Sequence, residues 1–512
     1  MEVALLVDDF LRRPALLYPD KTAIVDGEKR FTYQDFQNRV NQFSHALIAK
    51  GVRKGDRVCM LSPNSHYFLE SFYATSQIGA ILVPLNYRLT APEIQYILDH
   101  SGVSVVLADP EFSELVDPKR AELPAVNSWI LASAEADGEQ WQSWDQLIEH
   151  MPTSATRPVE RGENDIVSIN YTSGTTARPK GVMLTHRNCY INAYSFISHL
   201  NIAHEDVSLW TLPMFHCNGW GGVYALSGMG ATHVVIRTID GGDIHRLIEE
   251  EQVTFACMAP TVLRITLDSA AKAEGGTAKP RFVVAGAPPP AAFIEQLEKE
   301  LGWRFIQIYG LTETAPILTI STPDHATAES DYTRRSRAGV PAIGVEIRVV
   351  DEQGNDVPQD DETVGEICVR SNVVFAGYWK QEDETALAIR DDFFHTGDLG
   401  VWDDRFNVRI VDRKKDVIIS GGENISSPEV EDALYRHPSV LECAVIGVPD
   451  EKWGETPRAL IVLRPDTSET EGGIKAFCRE NLAHFKCPTS VHFVEVLPRT
   501  ATGKLQKFKL RD

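Results

Sequence analysis

The sequence predicts an α/β protein with a large N-terminal domain of parallel-rich βα subdomains plus a β subdomain, followed by a small α+β C-terminal domain. Three observations predict this class. Short apolar segments alternate with amphipathic segments up to about Gly310, strand pairs follow Gly344, and the chain from Lys415 has strands and helices of its own. At about 100–200 residues per domain, 512 residues are enough for more than one domain.

The N-terminal part alternates helix and strand. Thr32 can cap a helix that ends before Gly51, and another helix is expected after Asn64. Thr90-x-x-Glu93 has the spacing of a capping box at the start of a third helix. Strands are predicted at Arg57–Leu61, Ala80–Leu85 and Val103–Leu107. Because strands and helices alternate, we expect parallel sheets that are covered by helices.

The middle of the chain continues this pattern. Further short buried strands are predicted at Ile166–Tyr171, His233–Arg237, Phe255–Met258, Phe282–Ala285 and Phe305–Tyr309. After Gly344, the strand pair Glu346–Asp351 and Glu366–Arg370 predicts an antiparallel subdomain. The polar segments Gly275–Pro280 and Asp324–Arg337 are predicted to be exposed loops.

The C-terminal part has the elements of a separate small domain. Its predicted helices begin at Pro428 and Glu471, and its predicted strands include Ala444–Val448, Ala459–Leu463 and Val491–Val494. We therefore divide the chain into a large domain, residues 1–414, and a small domain, residues 415–512.

Composition and charge narrow the classes of function. Hydrophobic residues make up 43% of the chain and charged residues 24%, which is typical of globular proteins and excludes a disordered or fibrous chain. The net charge of -22 argues against nucleic acid as a partner, since nonspecific binding needs a basic surface. A local cluster of lysine and backbone amides can still hold an anion, because salt screens distant carboxylates over about 8 Å. The eight cysteines never occur as Cys-x-x-Cys, so we expect neither zinc nor disulfides.

Two observations concern location. No apolar run reaches the roughly 18 residues of a membrane-spanning helix, so we expect no transmembrane segment. The segment Met1–Asp9 has no basic region or cleavage site, and Leu510–Asp512 is not a peroxisomal address. We therefore expect a cytoplasmic protein.

The segment Tyr171-Thr-Ser-Gly-Thr-Thr-Ala-Arg-Pro-Lys-Gly181 follows a predicted strand. Backbone amides and hydroxyls in such a loop can bind phosphate oxygens, and Lys180 adds a point charge. It is not a Walker motif, because Pro179 precedes the lysine and Gly181 replaces the Ser or Thr that would bind magnesium. The alternative is a flexible turn rich in Ser, Thr and Gly.

Five other motifs follow in order. They are Tyr309-Gly-Leu-Thr-Glu313, Thr396-Gly-Asp398, Asp412-Arg-Lys-Lys-Asp416, Gly421-Gly-Glu-Asn424 and Pro498-Arg-Thr-Ala-Thr-Gly-Lys504. An aromatic such as Tyr309 at a strand end can stack on a base, while Thr312 and Glu313 can reach a phosphate and its Mg²⁺. Each motif alone also has an ordinary explanation, such as a helix cap for Thr312, a turn for Asp398 or a solvated charge for Lys504.

In this order, the six motifs resemble those of the adenylate-forming superfamily, and within it the AMP-forming acyl-CoA synthetases of fatty and medium-chain acids. The resemblance extends over essentially the whole chain. It implies a ligase of lipid metabolism that converts a carboxylic acid to an acyl-adenylate with Mg-ATP and then transfers the acyl group to CoA. It also implies that the small domain is mobile and that the protein can form a homodimer.

The resemblance implies roles for single residues. Lys504 would bridge the substrate carboxylate and the α-phosphate, stabilising charge in the transition state. Glu313 and Thr175 would bind Mg²⁺, and Glu313 would also count among the catalytic residues. The implied ATP- and AMP-binding residues are Thr172, Ser173, Gly174, Thr175, Thr176, Lys180, Gly286, Ala287, Pro288, Tyr309, Gly310, Thr312, Asp398 and Arg413.

The second step needs a different arrangement of the small domain. Lys415 matches the hinge of the family, and rotation there would withdraw Lys504 from the site. The same rotation would bring Gly421, Gly422 and Glu423 to the CoA side. Otherwise, Lys415 is only part of a basic pair in a loop.

The acyl pocket is implied by Met214-Phe-His-Cys-Asn-Gly-Trp220 and by the glycine of Ala285-Gly-Ala-Pro288. Its predicted residues are His216, Trp220, Gly286 and Ile308, and His216 would also act in catalysis. Ile308 stands where the family commonly has Gly, so we expect a shortened pocket. No Asp follows His216 as in amino-acid-activating members, which disfavours an amino acid. Alternatively, a lone His or Trp in such a segment is core packing.

Three hypotheses remain open at this level. The first is a ligase for a short- or medium-chain acid, with an aryl or thioether-containing acid as the alternative substrate. The second keeps the adenylate but passes it to another acceptor, such as a carrier protein, or oxidises it as a luciferase does. The third is a nucleotide-binding regulator without catalysis.

Overall fold

The structure is a computed structural model that describes residues 1–136, 140–172, 179–269, 277–286, 289–321, 331–414, 416–420, 423–450, 452–499 and 505–511. The strands are β1 (Thr22–Asp26), β2 (Lys29–Thr32), β3 (Arg57–Leu61), β4 (Ile81–Leu85), β5 (Val103–Ala108), β6 (Ser128–Leu131), β7 (Gln142–Ser143), β8 (Ile166–Thr172), β9 (Lys180–Thr185), β10 (Val207–Trp210), β11 (Thr232–Val235), β12 (Phe255–Met258), β13 (Arg281–Val284), β14 (Arg304–Gly310), β15 (Ile317–Ser321), β16 (Val340–Pro341), β17 (Val345–Val350), β18 (Gly365–Ser371), β19 (Ile389–Arg390), β20 (Phe393–Trp402), β21 (Val408–Arg413), β22 (Ile418–Ser420), β23 (Glu423–Ile425), β24 (Val440–Asp450), β25 (Gly454–Leu463) and β26 (Ser490–Phe493). The helices are α1 (Asp9–Leu17), α2 (Tyr33–Ala49), α3 (His66–Gln77), α4 (Ala91–Ser101), α5 (Trp144–Ile148), α6 (His186–Leu200), α7 (Cys217–Trp220), α8 (Gly222–Met229), α9 (Gly241–Glu250), α10 (Pro260–Ser269), α11 (Ala291–Glu300), α12 (Tyr332–Arg335), α13 (Glu382–Ala388), α14 (Ser427–Tyr435) and α15 (Glu471–Asn481).

Among the described residues, the strands form four sheets. One has nine strands in the order β16-β15-β14-β13-β12-β10-β11-β1-β2, and one has seven in the order β7-β6-β5-β3-β4-β8-β9. Both are mainly parallel, with antiparallel pairs at β1–β2, β8–β9 and β14–β15–β16. The predicted α/β class with parallel-rich subdomains is confirmed.

The local sequence patterns explain the helices of the first part. Glu93 accepts a hydrogen bond from the backbone N–H of Thr90 at 2.8 Å, which forms the predicted capping box before α4. Thr32 caps α2 in the same way with Asp35, its hydroxyl accepting from the Asp35 N–H at 3.1 Å. The apolar face of α2 is buried in the main hydrophobic core, and that of α4 is buried in a second core with residues of β3, β4 and β5.

The third sheet is antiparallel, in the order β17-β18-β20-β19 with β21 paired to β20. It contains the strand pair predicted after Gly344. The fourth sheet, β23-β22-β25-β24 with β26 beside β25, has a separate core that includes Val430, Val445, Ile461 and Ile474. A separate C-terminal domain is therefore present. The division at 414/415 stays a prediction, and Lys415 lies outside the described residues.

One loop prediction differs from the structure. Of the segment predicted as an exposed loop at Asp324–Arg337, the described part contains α12, and Arg335 is buried there. The guanidinium of Arg335 forms an ion pair with Glu298 on α11. Polar composition is a poor guide here because a buried arginine is tolerated where a paired carboxylate offsets part of its desolvation cost. Of the other predicted loop, 277–280 are described, and Pro280 is buried.

Two other predictions concern the whole chain. All eight cysteines are free and buried. Within the described part of the chain, no helix is long and apolar enough to cross a membrane.

Candidate functional site

The phosphate-loop motif connects the antiparallel strands β8 and β9. Thr172 lies opposite Lys180 in their register, so the two residues form the base of the connection. The predicted phosphate-binding residues Ser173, Gly174, Thr175 and Thr176 lie outside the described residues, as does Ala177. Thr172 and Lys180 are thus the described ends of the motif.

Lys180 is held at this position by an acidic and an aromatic side chain. Its ammonium forms an ion pair with Glu384 on α13, and its side chain is 12% exposed. The same nitrogen lies 5.0 Å from the centre of the Tyr378 ring. A phosphate bound at the end of β8 would therefore compete with Glu384 for the charge of Lys180.

Residues 376–379 run along the other edge of β9. Gly377 O accepts from the Met183 N–H at 3.0 Å, and Gly181 O accepts from the Trp379 N–H at 2.8 Å. A β-carbon on Gly181 would lie 2.9 Å from the Ile169 side chain. Close packing explains the glycine at 181, and the pairing fixes the position of Tyr378.

Glu313 lies in the short 3-10 turn Thr312–Thr314 that follows β14. The Tyr378 hydroxyl donates to Glu313 Oε1 at 2.9 Å, and the Phe375 N–H donates to the Glu313 carbonyl at 2.8 Å. Burial, and after it the charge of Glu313, raises the pKa of Tyr378. The hydroxyl therefore stays a proton donor and orients the carboxylate. Thr312 is buried beside it.

Tyr309, Asp398 and Arg413 form a second cluster. The Tyr309 hydroxyl donates to Asp398 Oδ2 at 2.7 Å, and Arg413 Nε lies 2.6 Å from Asp398 Oδ1. Asp398 on β20 and Arg413 on β21 are direct partners across the antiparallel ladder, which explains why they meet.

The Asp398 carboxylate favours the protonated form of both of its partners, Tyr309 and Arg413. Burial, followed by the Asp398 carboxylate, raises the pKa of Tyr309 well above 10, so its hydroxyl remains protonated. Although burial alone would lower it, Asp398 raises the pKa of Arg413. Asp398 is 3% exposed and uses both oxygens, so a ribose hydroxyl at this carboxylate would share or replace these bonds.

The two predicted glycines at the strand ends differ in their surroundings. Gly286, after β13, has φ +94° and is exposed, and a β-carbon there would meet no described atom within 4 Å. This open backbone fits close approach of a ligand. A β-carbon on Gly310, after Tyr309, would lie 1.6 Å from the Pro316 carbonyl oxygen. The absence of a side chain at Gly310 therefore allows the tight connection between β14 and β15. Ala287 and Pro288 lie outside the described residues.

The segment that holds His216 and Trp220 has an unusual backbone. Cys217, Asn218, Gly219, Trp220 and Gly221 all have φ between +47° and +79°, so α7 is a left-handed turn. This conformation costs a non-glycine residue roughly 1–2 kcal/mol. Conformations of this kind persist where the surroundings enforce them, often at functional sites.

The predicted acyl-pocket side chains lie around this turn. Trp220 is 4% exposed, Ile308 on β14 is 2% exposed, and both belong to the main core. His216 is half-buried at the start of the turn. A small apolar cavity lies behind Gly219, lined by Trp210, Leu212, Gly222 and Leu226 among others. The left-handed turn itself lies next to the Thr312–Thr314 turn, since Cys217 Sγ lies 3.9 Å from the Thr312 carbonyl oxygen.

The predicted residues of the C-terminal part are largely not described. Lys504, Lys415, Gly421 and Gly422 lie outside the described residues, and for Glu423 the backbone in β23 is described. What is described is a charged junction near the predicted hinge. Asp412 Oδ2 accepts from the Ser427 N–H at 3.0 Å, and the Ser427 hydroxyl contacts Asp412 and Lys507.

Lys507 anchors the segment that follows Lys504. Its ammonium lies 2.9 Å from Glu431 Oε1, and the nearby Asp412 adds negative charge. Although burial would lower it, these carboxylates raise the pKa of Lys507, while burial raises the pKa of Glu431. The end of the chain is thereby tied to α14 and to the end of β21.

The residues present fit a magnesium ion that is bound mainly by a substrate. Glu313 offers one carboxylate, and Thr175, the other predicted ligand, is not described. Among the described residues, no group of three or more His, Cys, Asp or Glu side chains could hold a metal. Mg²⁺ commonly takes one or two carboxylates, water and substrate phosphates, which suits a single Glu.

Sequence reasoning missed Tyr378 and Glu384. Both lie within Gly377-Tyr-Trp-Lys-Gln-Glu-Asp-Glu384, where Glu384 stands in the acidic first turn of α13. Acidic residues at a helix N-terminus are ordinary, since they complement the helix dipole. An aromatic residue after Gly377 is equally ordinary, so the pattern alone contained no sign of the contacts with Lys180 and Glu313.

Comparison with known proteins adds a second kind of evidence. Residues 11–379 match the family described as AMP-binding enzyme, and residues 429–504 match the AMP-binding enzyme C-terminal domain. 4-Hydroxybutyrate–CoA ligase 2 of Metallosphaera sedula is 38% identical over 98% of this chain and 93% of its own length. The peroxisomal benzoate–CoA ligase of Arabidopsis thaliana is 36% identical over 98% of this chain and 92% of its own.

The fold of the whole chain has a solved counterpart. The crystal structure of the anthranilate CoA ligase AuaEII in complex with anthranoyl-AMP superposes with a TM-score of 0.91 at 28% identity, covering 100% of this chain and 97% of that one. Because it covers the whole chain, the match includes the three sheets that carry the site residues and the C-terminal sheet. With its two family matches and full-length relatives, the chain belongs to the family of AMP-binding enzymes.

Proposed function

We propose that this protein is an AMP-forming carboxylic acid–CoA ligase. The observation that carries the proposal is the arrangement of Lys180, Glu313 and the Tyr309–Asp398–Arg413 cluster around the ends of β8 and β14 and the middle of β20. It combines two cations, a carboxylate suited to Mg²⁺ and a polar cluster suited to ribose. The relatives named as CoA ligases support the same reaction.

In the first step, a carboxylate oxygen attacks the α-phosphorus of ATP and pyrophosphate leaves. Lys180 would attract the phosphates, while Asp398 and Arg413 would hold the ribose and Tyr309 would lie against the adenine. Lys504 would neutralise the charge that develops between carboxylate and α-phosphate. Mg²⁺ held by Glu313 would supply positive charge at the phosphates.

In the second step, the CoA thiol attacks the acyl carbon and AMP leaves. A mixed anhydride already has a good leaving group, so orientation of the reactants is the main requirement. Rotation of the small domain at Lys415 would remove Lys504 and bring Gly421, Gly422 and Glu423 to the thiol. His216 would line the path of the acyl group.

We infer that the acid is short or of medium length. The burial of Trp220 and Ile308 supports a shallow pocket, and one relative is named for 4-hydroxybutyrate. The alternative, an aryl acid, is supported by relatives named for benzoate and anthranilate. A thioether-containing acid is the remaining alternative. The proposal includes a role in fatty-acid metabolism, a cytoplasmic location and a homodimer, the last measurable by sedimentation.

The first experiment measures AMP and pyrophosphate release with Mg-ATP over a carboxylate panel, each acid with and without CoA. The panel runs from acetate to palmitate and includes benzoate, cinnamate and methylthiopropionate. CoA-dependent turnover with a maximum at one chain length supports the ligase. Acid-dependent pyrophosphate exchange without CoA-dependent turnover would indicate another acceptor, such as a carrier protein. Nucleotide binding without either activity would indicate a regulator.

A variant of Lys504 separates the two steps. We expect Lys504→Ala to lose adenylation by several orders of magnitude, because charge at the transition state is no longer neutralised. It should still convert a supplied acyl-adenylate and CoA to the thioester. Lys509→Ala, at an exposed lysine five residues on, is the control. Loss of both half-reactions would contradict this division of roles.

A further inference from the structure

The left-handed turn Cys217–Gly221 needs support from outside itself. Two of its residues, Cys217 and Trp220, have side chains that disfavour positive φ, whereas Asn218 adopts it more readily. The turn is buried, so water cannot satisfy its polar groups. Its conformation therefore depends on hydrogen bonds from neighbouring elements.

The first support is a ring of hydrogen bonds among three buried polar side chains, Asn218 of the turn and Ser168 and Asn170 of β8. Asn218 Nδ2 donates to the Ser168 hydroxyl at 2.9 Å, and Asn218 Oδ1 accepts from Asn170 Nδ2 at 3.0 Å. The Ser168 hydroxyl donates to Asn170 Oδ1 at 2.9 Å, which completes the ring. Ser168 and Asn170 are two residues apart on β8 and share one face of the strand. Since β8 leads to Thr172, the turn is tied to the phosphate-loop strand.

The second support is Asn192 on α6, whose side chain is fully buried. Its Nδ2 donates to the Trp220 carbonyl at 3.1 Å, and its Oδ1 accepts from the Ile317 N–H at 3.0 Å. Ile317 is the first residue of β15 and follows the turn that holds Glu313. A β-carbon on Gly221 would lie 2.1 Å from Asn192 Nδ2, so the glycine makes room for this bridge.

We propose that Asn192 and Asn218 are positioning residues that fix the acid-binding turn relative to the two nucleotide-binding segments. This inference rests on the proposed function. A shift of the turn would break its bonds to β8 or to β15, so His216 and Trp220 stay in register with Lys180 and Glu313. A misplacement of about 1 Å between reactants can cost on the order of a hundredfold in rate. Hydrogen bonds that prevent such a displacement of the turn would therefore preserve the rate.

The test compares the kinetic constants for acid and ATP. Asn192→Ala and Asn218→Ala should raise KM for the acid by about tenfold or more and lower kcat, while KM for ATP changes by less than about twofold. The pairing of β8 with β9 and the contacts of Tyr378 keep Lys180 and Glu313 in place. The preference among chain lengths should also become broader. Equal increases in both KM values, or no change in either, would overturn the proposal.

Two matched variants control for general damage. Ser195 lies on the same helix as Asn192 and is buried, and its hydroxyl has no hydrogen-bond partner among the described residues. Ser195→Ala should leave both KM values unchanged. Asn218→Gly permits the left-handed backbone but removes the side-chain bonds. It should show the same defect as Asn218→Ala, and normal kinetics in the glycine variant would overturn the role of the Asn218 side chain.

A second measurement needs no substrate. In hydrogen–deuterium exchange of the free protein, Asn192→Ala should speed exchange at residues 214–221 and 312–320, and leave Phe255–Met258 unchanged. Unchanged exchange at the turn would overturn the positioning role. Because this readout is independent of activity, it tests the inference even if the wild-type protein fails the carboxylate panel, an outcome that would count against the proposed function alone.

Discussion

At the scale of the residue, Tyr378 contacts two opposite charges. Its hydroxyl donates to Glu313 and its ring lies beside the ammonium of Lys180. Because burial and Glu313 raise its pKa, the hydroxyl remains a donor throughout the neutral range. The side chain thus orients one group by a hydrogen bond and the other by its ring.

Tyr378→Phe removes the hydroxyl and keeps the ring. A hydrogen bond to a charged group contributes about 1.5–3 kcal/mol, so we expect kcat/KM for Mg-ATP to fall by about tenfold to a hundredfold. KM for the acid should stay unchanged. Initial rates at varied ATP measure the effect, with Tyr194→Phe at an exposed tyrosine as control. A change in KM for the acid with no change in kcat/KM for Mg-ATP would show that Glu313 does not need this hydrogen-bond donor.

At the scale of the element, the connection from β14 to β15 sets the position of Thr312 and Glu313. The ladder changes register between Tyr309 and Gly310. Gly310 lies so close to the Pro316 carbonyl that no larger residue fits without movement of the backbone. The connection therefore folds back tightly because position 310 has no side chain.

Gly310→Ala should displace this connection and with it Glu313. We expect a loss of ATP–pyrophosphate exchange of about a hundredfold and a decrease in the free energy of unfolding of about 1–3 kcal/mol. Exchange assays and thermal unfolding measure the two effects. Gly162→Ala is the control, because a β-carbon there meets no described atom within 4 Å. Normal exchange in Gly310→Ala would mean that the connection tolerates the shift.

Elements could be predicted from the sequence where their patterns are local. Arg57–Leu61 and the cap at Thr32 are examples, because a short apolar run and a capping residue can both be recognised from a few neighbouring residues. The contact of Asp398 with Arg413 depends on the register between β20 and β21, and this register cannot be read from either sequence motif. The pair of Lys180 and Glu384 joins residues 204 positions apart, and only the folded chain brings them together.

At the scale of the whole molecule, buried histidine links stability to pH. His233 is fully buried, with Trp210 Nε1 donating to its Nδ1 at 2.9 Å and Nε2 3.0 Å from the Ser227 hydroxyl. Burial, and after it Lys21, lowers the pKa of His233 to about 3. Below about pH 6.5 the unfolded chain binds a proton that the folded protein does not. Stability is therefore lost as pH falls from 6.5 toward 3.

Between pH 7 and pH 5, this one group should cost about 2 kcal/mol of the free energy of unfolding. In His233→Gln, the decrease over this range should be smaller by about that amount. Urea unfolding at the two pH values measures it, and His150→Gln, at an exposed histidine, should behave as the wild type. Identical pH dependence in His233→Gln and wild type would contradict this assignment.

The buried thiols have a practical consequence for observing the proposed rotation. Burial raises the pKa of Cys478 to about 11 and that of Cys189 to about 12, so few thiolates are available to alkylating reagents near neutral pH. Dyes should therefore attach selectively to introduced cysteines, for example in Lys299→Cys on α11 together with Arg436→Cys after α14. Energy transfer between such dyes would follow the C-terminal domain during a single turnover, with every native cysteine left in place.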